Sequence, residues 1–144
     1  MRTDAQNMRV ETIEDAAEMF RRVMPIAGKR EGVFVLPIGA GGEALSEPQL
    51  VALGDGYGTT DVKLGDIFAA AYKADAKAII VAHNHPSGDL TPSKADRVFT
   101  AALVEMCEKL GNIQLLDHLI VGGKNVAAYT VKAKYEKGVA ADGR

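Results

Sequence analysis

Residues 78–82, Ala-Ile-Ile-Val-Ala, run without a polar interruption into His83-Asn84-His85-Pro86-Ser87-Gly88-Asp89 and then Leu90-Thr91-Pro92-Ser93. A short, continuously apolar segment closed by turn residues reads as a strand buried on both faces. A helix follows from Ser93, with Ala95, Phe99, Ala102, Leu103, Met106 and Leu110 on one face and Gly111 as its stop. A buried strand that hands over to a helix through a polar loop belongs to a layered α/β fold.

Upstream, Thr12 precedes Ile13, Ala16, Ala17, Phe20, Val23 and Met24 at helical spacing, and Asp15 completes a capping-box pattern with Thr12. This predicts a helix over 12–24, ended by Pro25 and Gly28. Glu31–Ile38 reads as a strand, Gly39–Gly42 as a glycine-rich turn, and Ala44–Leu53 as a second strand. Pro48 inside that second strand implies an edge position or a bulge. Gly54–Gly58 reads as a loop and Leu64–Ala74 as a helix. Downstream, Leu115–Val121 and Val126–Val131 read as a hairpin turning at Gly122-Gly123. The order is helix, two strands, helix, strand, helix, two strands, an α/β arrangement with a mixed sheet.

At 144 residues, with no internal repeat, the chain has room for one domain and a real core. The expected division is a polar lead-in over 1–11, a domain over 12–132 and a polar tail over 133–144. Aromatic content is 6% with no Trp, so Ala, Val, Ile and Leu must build the core. The net charge of −2 and a pI of about 5.9 argue against general nucleic-acid binding, which needs a basic surface. Arg21, Arg22, Lys29 and Arg30 form the noticeable positive cluster, which a solvated helix face explains. A single cysteine, Cys107, cannot form an intramolecular disulfide and points to a reducing, cytoplasmic compartment. The N-terminus is polar, unlike a signal or transit peptide, and no apolar run is long enough to span a bilayer.

Two of the three histidines, His83 and His85, stand two residues apart at the end of the buried strand. In extended backbone such residues face the same side, so both imidazoles can aim at one point. Neutral imidazole is a preferred zinc ligand, and a catalytic zinc site usually takes three protein ligands and leaves one open position. Asp96, in the first turn of the following helix, is a candidate for the third ligand, and Asp89, nearer but in a Gly-containing turn, is its rival. Ser93-Lys94-Ala95-Asp96 also fits a capping box, which accounts for both residues without a metal. Asn84 and Pro86-Ser87-Gly88 fit ordinary turn chemistry.

Taken together, His83-x-His85, seven residues, Ser93, two residues and Asp96 resemble the JAMM motif of the JAB/MPN metalloproteases. HNHPSGDLTPSKAD at 83–96, followed by LLDHLIV at 115–121, is similar to the RadC branch of that family, over about residues 12–132. The resemblance implies a single-domain MPN/JAB-like (cytidine-deaminase-like) mixed β-sheet flanked by helices. It implies Zn²⁺ held by His83, His85 and Asp96, and a hydrolase acting on a peptide or protein substrate. It makes Glu31, in Arg30-Glu31-Gly32-Val33-Phe34, the candidate general base, ahead of Glu43 and Glu47. Ser93 would donate a hydrogen bond to the developing oxyanion. Asp117 and His118 are candidates to act behind the ligands and orient one of them, with a buried histidine satisfied within the core as the alternative for His118.

Beside the longer RadC-like proteins, these 144 residues are expected to leave no space for a helix-hairpin-helix region. Gly58-Thr59 preserves a family pair, whereas the stretch around Gly65-Asp66 replaces the usual Arg. A DNA-repair-associated role and a non-catalytic MPN interaction scaffold are the alternative functions. The letters His-Asn-His do not make an HNH nuclease, whose residues are spread over a ββα unit. Zinc deamination needs a Cys-x-x-Cys pair, which one cysteine cannot supply, and the chain has no His-Glu-x-x-His helix.

Overall fold

The computed structural model describes residues 8–54 and 63–128. Helix α1 spans Ile13–Val23 and is opened by the expected capping box. Thr12 Oγ1 accepts from the Asp15 amide at 3.0 Å, and the Asp15 carboxylate accepts from the Thr12 amide at 3.1 Å. Met24–Ala27 tightens into a 3₁₀ turn with Pro25 in its first positions. Strands β1 (Gly32–Ile38) and β2 (Gln49–Leu53), helix α2 (Leu64–Lys73), strand β3 (Ala78–Asn84), helix α3 (Lys94–Leu110) and strands β4 (Gln114–Gly122) and β5 (Asn125–Ala128) follow.

These form one sheet of order β2-β1-β3-β4-β5. β1 runs antiparallel to β2 and β3, β3 is parallel to β4, and β4 is antiparallel to β5. A parallel pair needs a long crossover, and α3 supplies it between β3 and β4. The sheet is therefore mixed, with helices on both faces, as expected.

Every residue of β1 and of β3 is buried. On one face Phe34, Leu36, Ile38, Ile80 and Ala82 pack with Met19 and Phe20 of α1. On the other, Val33, Val35, Ile79 and Val81 pack with Ile67, Phe68 and Ala71 of α2 and with Leu103 and Cys107 of α3. Alternation along β3 carries past Val81 and turns His83 to the α3 face.

Two expectations shift. The second strand begins at Gln49 rather than Ala44, because Pro48 lacks the N–H that a ladder needs; Ala44 makes an isolated bridge with Ile38. β2 lies at the sheet edge, one of the two positions that Pro48 implied. The last hairpin turns at Gly123-Lys124, one residue later than expected, since Gly122 pairs with Asn125. Residues 1–7, 55–62 and 129–144 lie outside the described residues, and with them most of the 54–58 loop, Gly58-Thr59, the end of the expected last strand and the tail.

One irregularity matters for the site. The register of β3 on β4 slips between Ile79 and Ile80, so that Ile79 faces Leu115 but Ile80 faces Asp117. The extra residue, Leu116, reverses the parity of β4. Leu115 and His118 consequently face α3, whereas Leu116 packs toward α1.

Candidate metal centre

His83 is the last residue but one of β3, and His85 continues the ladder one step beyond its end, its amide donating to the Val121 carbonyl at 2.9 Å. Extended backbone across 83–85 brings the two rings onto one side, their Nε2 atoms 3.0 Å apart. Asp96, in the first turn of α3, meets both: Oδ1 lies 3.2 Å from His83 Nε2 and Oδ2 lies 3.1 Å from His85 Nε2. Glu31, immediately before β1, places Oε2 3.9 Å from His85 Nε2. Glu31, His83 and His85 offer ligand atoms within 4.8 Å of one another, a group that could hold a metal ion. Asp96 makes the shorter contacts with both imidazoles.

The capping box at α3 is also present, so the two explanations of Ser93 and Asp96 hold together. Ser93 Oγ accepts from the Asp96 amide at 3.0 Å, and Asp96 Oδ2 accepts from the Ser93 amide at 2.8 Å. The carboxylate that caps the helix is the one that faces the imidazoles. Burial opposes its ionisation, but the hydrogen bond and charge of His83 and the charge of His85, which both rings supply when protonated, outweigh it together with the Ser93 amide. They hold the Asp96 carboxyl well below the usual carboxylate range.

The donor chemistry is decisive for what fits here. His85 Nδ1 lies 2.6 Å from the Asp89 carbonyl oxygen, which can only accept, so Nδ1 carries the hydrogen. A neutral His85 therefore presents a lone pair at Nε2, directed at an ionised carboxylate. Lone pairs at this separation repel unless a cation, a proton or a metal ion, stands among them. The donor set of imidazole nitrogen and carboxylate oxygen is one that a divalent transition metal takes.

Asp89 thus contributes through its backbone. Its own carboxylate accepts from the Thr91 amide at 2.9 Å, and that bond, with the Thr91 side chain, lowers its pKa. The loop that carries Asp89 lies close against β4: a Cβ on Gly122 would come within 2.9–3.0 Å of the Gly88 backbone. Glycine at 122 is what lets the Asp89 carbonyl reach His85.

Glu43 and Glu47 do not enter the site. Glu43 accepts from the Gly41 amide at 2.9 Å, and Glu47 lies 3.8 Å from Arg22. Asp117 Oδ1 accepts the His118 amide at 2.7 Å, while its side chain lines a hollow with Val10, Ile13 and Ile80 on the α1 side. The bulge at Leu116 separates the two neighbours and leaves only His118 on the metal-centre face, its Nε2 2.8 Å from His83 Nδ1. His118 is fully buried. Burial first, and His83 second, push its pKa down to about 3 against the pull of Asp96. The basic cluster is dispersed: Arg21 bonds Glu14 and the Gly123 and Lys124 carbonyls, and Arg30 bonds the Gly54 carbonyl at 2.6 Å.

Two residues were not legible as parts of the site. Thr100 Oγ1 donates to the Asp96 carbonyl at 2.8 Å and lies 2.6 Å from His118 Nδ1. Asn84, read above as turn chemistry, grips the backbone on either side of Glu31. Its Oδ1 accepts from the Gly32 amide at 2.7 Å, and its Nδ2 donates to the Arg30 carbonyl at 2.9 Å. The one signal for it was position: Asn84 points opposite to His83 and His85 on a strand buried on both sides, where an amide must find partners.

The two imidazoles and their carboxylate neighbours open into a cleft of about 420 Å³, lined by Glu31, His83, His85, Asp89, Ser93 and Asp96 among others.

A mixed-sheet α/β domain with two imidazoles and two carboxylates gathered at the end of β3 is a JAB/MPN-type protein. The chain matches the RadC-like JAB domain over residues 10–135, and it belongs to that family. It is 48% identical over 94 residues to a UPF0758 protein of Carboxydothermus hydrogenoformans, covering 65% of this chain and 40% of that one. It is 46% identical over 70 residues to the UPF0758 protein YeeS of Escherichia coli, covering 49% of this chain and 47% of YeeS. The match to a UPF0758 protein of Thermotoga maritima is 45% over 75 residues, 50% of this chain and 33% of that relative. The chain thus spans less than half the length of these relatives.

Proposed function

We propose that the chain is a zinc-dependent hydrolase of peptide or isopeptide bonds, with His83, His85 and Asp96 as the metal ligands. The convergence of His83 Nε2, His85 Nε2 and the Asp96 carboxylate at 3.0–3.2 Å carries this reading. Three such ligands on one side of an open cleft leave room for substrate, the mark of a catalytic rather than a structural site. Zinc bound there supplies a Lewis acid for a scissile carbonyl and a water of lowered pKa.

The remaining steps fall to the chain's own side chains. Glu31, at the cleft wall and partly exposed, accepts a proton from water and returns it to the leaving amine. Asn84 holds the backbone of residues 30–32 so that the Glu31 carboxylate stays near His85. Ser93 uses its oxygen lone pair for the Asp96 amide, which leaves its hydroxyl hydrogen for the substrate oxyanion.

The charge of the cleft favours an amide over a phosphodiester substrate. Glu31, Asp89 and Asp96 line it, and no Lys or Arg does so among the described residues, whereas phosphate recognition rests on basic groups. This weighs against direct action on DNA, and the gathered ligands weigh against a scaffold that only binds partners. No helix among the described residues is long and apolar enough to cross a membrane. Cys107, the single cysteine, is buried in the core and supports a reducing, cytoplasmic setting.

The test is elemental analysis of the purified protein beside His85→Ala, followed by a peptide and isopeptide substrate screen. One zinc per chain, lost in the variant, is expected. Stoichiometric, tightly held zinc in His85→Ala would remove the site as drawn.

A further inference from the structure

We propose that Thr100 and His118 are positioning residues of the metal centre: together they fix His83 in the Nδ1–H tautomer, with the Nε2 lone pair facing the site. The inference rests on the reading that His83 is a metal ligand. A ligand nitrogen must offer a lone pair, and the group bonded to the other ring nitrogen sets which one does.

The relay begins at a hydroxyl with a single hydrogen. Thr100 Oγ1 spends it on the Asp96 carbonyl, one helical turn earlier, at 2.8 Å. Toward His118 Nδ1, at 2.6 Å, the same oxygen can then only accept. His118 Nδ1 carries the ring hydrogen, and its Nε2 presents a lone pair to His83 Nδ1 at 2.8 Å. His83 must donate there from Nδ1, which leaves its Nε2 bare toward Asp96 and His85.

The opposite polarity shows why the first bond matters. Were the Thr100 hydrogen turned to His118 Nδ1, each ring would pass its own hydrogen along. His83 would then aim an Nε2–H at Asp96 Oδ1, and the site would be closed to metal. Holding the hydroxyl on a backbone carbonyl selects the open form. Thr100 and His118 are buried, at 4% and 0% exposure, so water cannot substitute for either bond. Phe99 seals the relay edge-on against the His118 ring, centroids 5.4 Å apart.

The test compares wild type, Thr100→Val and Thr100→Ser by chelator competition for zinc and by long-range proton–nitrogen spectra of the imidazoles. Spectra are taken metal-free near pH ~8.5, roughly two units above the ordinary imidazole pKa. In wild type and Thr100→Ser, both His118 and His83 are expected to be protonated at Nδ1. In Thr100→Val the rings shift toward the Nε2–H form and zinc affinity falls about 10- to 100-fold, while Thr100→Ser restores it. A merely structural threonine would not move the tautomers. Wild-type rings protonated at Nε2, or a Thr100→Val protein with wild-type affinity and tautomers, would overturn the relay. Should wild type bind no zinc, the hydrolase reading fails, and the wild-type tautomers still decide the relay.

Discussion

Replacing Asp96 by Asn separates the two duties of that side chain. Ser93 N–H donates to Oδ2 at 2.8 Å, so an Asn oxygen must take that place to keep the cap. The amide nitrogen then stands where Oδ1 was, 3.2 Å from His83 Nε2, and donates to the lone pair there. The metal-free variant should therefore lie within about 0.5 kcal/mol of wild type, whereas Asp96→Ala, which loses half the capping box, should cost ~1 kcal/mol. Metal binding responds differently, because a donor now points at the ion. Residues behind a ligand are worth 10- to 100-fold in affinity, so losing a charged ligand should cost about 100-fold or more.

The difference is readable as a thermal shift. Zinc at 100 times its dissociation constant stabilises the native state by about 2.7 kcal/mol, and a 100-fold weaker variant gains about 0.4 kcal/mol at the same concentration. At about 4 °C per kcal/mol for a chain of this size, wild type should rise by ~11 °C and Asp96→Asn by ~2 °C. The assay is thermal unfolding with and without zinc, beside zinc stoichiometry. An equal zinc-induced rise in both proteins would refute Asp96 as a ligand. A metal-free variant destabilised as far as Asp96→Ala would refute the placement of its amide.

Other perturbations isolate single roles. Glu31→Gln should retain one zinc and lower turnover about 10²- to 10⁴-fold, measured on whichever substrate the screen yields; unchanged turnover would reassign the base. Ser93→Ala should retain zinc, lose ~1 kcal/mol of stability with the cap and lower kcat about 10²- to 10³-fold with the oxyanion donor. An intact kcat in that variant would leave the serine as a cap alone. His118 should make the zinc-free protein acid-sensitive. Its folded pKa of about 3 lies below the unfolded value of ~6.5, so the unfolded chain takes up the proton first and stability falls as pH drops below that value, by about 3 kcal/mol at pH ~4. Asp96 adds to this at lower pH: its depressed carboxyl stabilises the fold above the unfolded value near ~3.9, and that contribution disappears as pH falls toward the folded value. Urea unfolding of wild type and His118→Gln across this range should show the steeper loss in wild type, and parallel curves would count against it.

Local chemistry made most of the frame legible. Thr12 and Asp15, Ser93 and Asp96, and Gly111 mark helix ends through bonds within a few residues, and all three hold. The all-apolar run at 78–82 gave a central strand because nothing but burial on both faces calls for it. The second strand was over-extended because Ala44 and Leu45 are apolar, while Pro48, the residue just before the regular ladder, acts through a missing donor. The partition of Asp117 and His118 was not legible at all. Period-two alternation assigns them to opposite faces but cannot say which is which once Leu116 is bulged, and the bulge is set by pairing with β3. Thr100 and Asn84 escaped for a related reason. Their partners lie 18 residues away at His118 and 52 away at Gly32, and a hydroxyl or amide in a sequence does not announce a distant acceptor.

The capping and metal-binding readings of Ser93-Lys94-Ala95-Asp96 had stood as competitors, and the geometry makes one the means of the other. An aspartate at the third position of a helix has its χ angles fixed once its oxygen takes the N-cap amide. That bond turns the rest of the carboxylate toward His83 and His85, so the rotamer entropy of a ligand is already lost when the helix forms. His85 is held likewise by the Asp89 carbonyl, and His83 by His118. A centre whose three proposed ligands are each oriented by a bond outside it does not need metal in order to fold, unlike a zinc finger, whose ligands gather only around the ion. Metal affinity and fold stability should therefore separate under mutation: changes at the orienting bonds should weaken zinc well before they unfold the sheet.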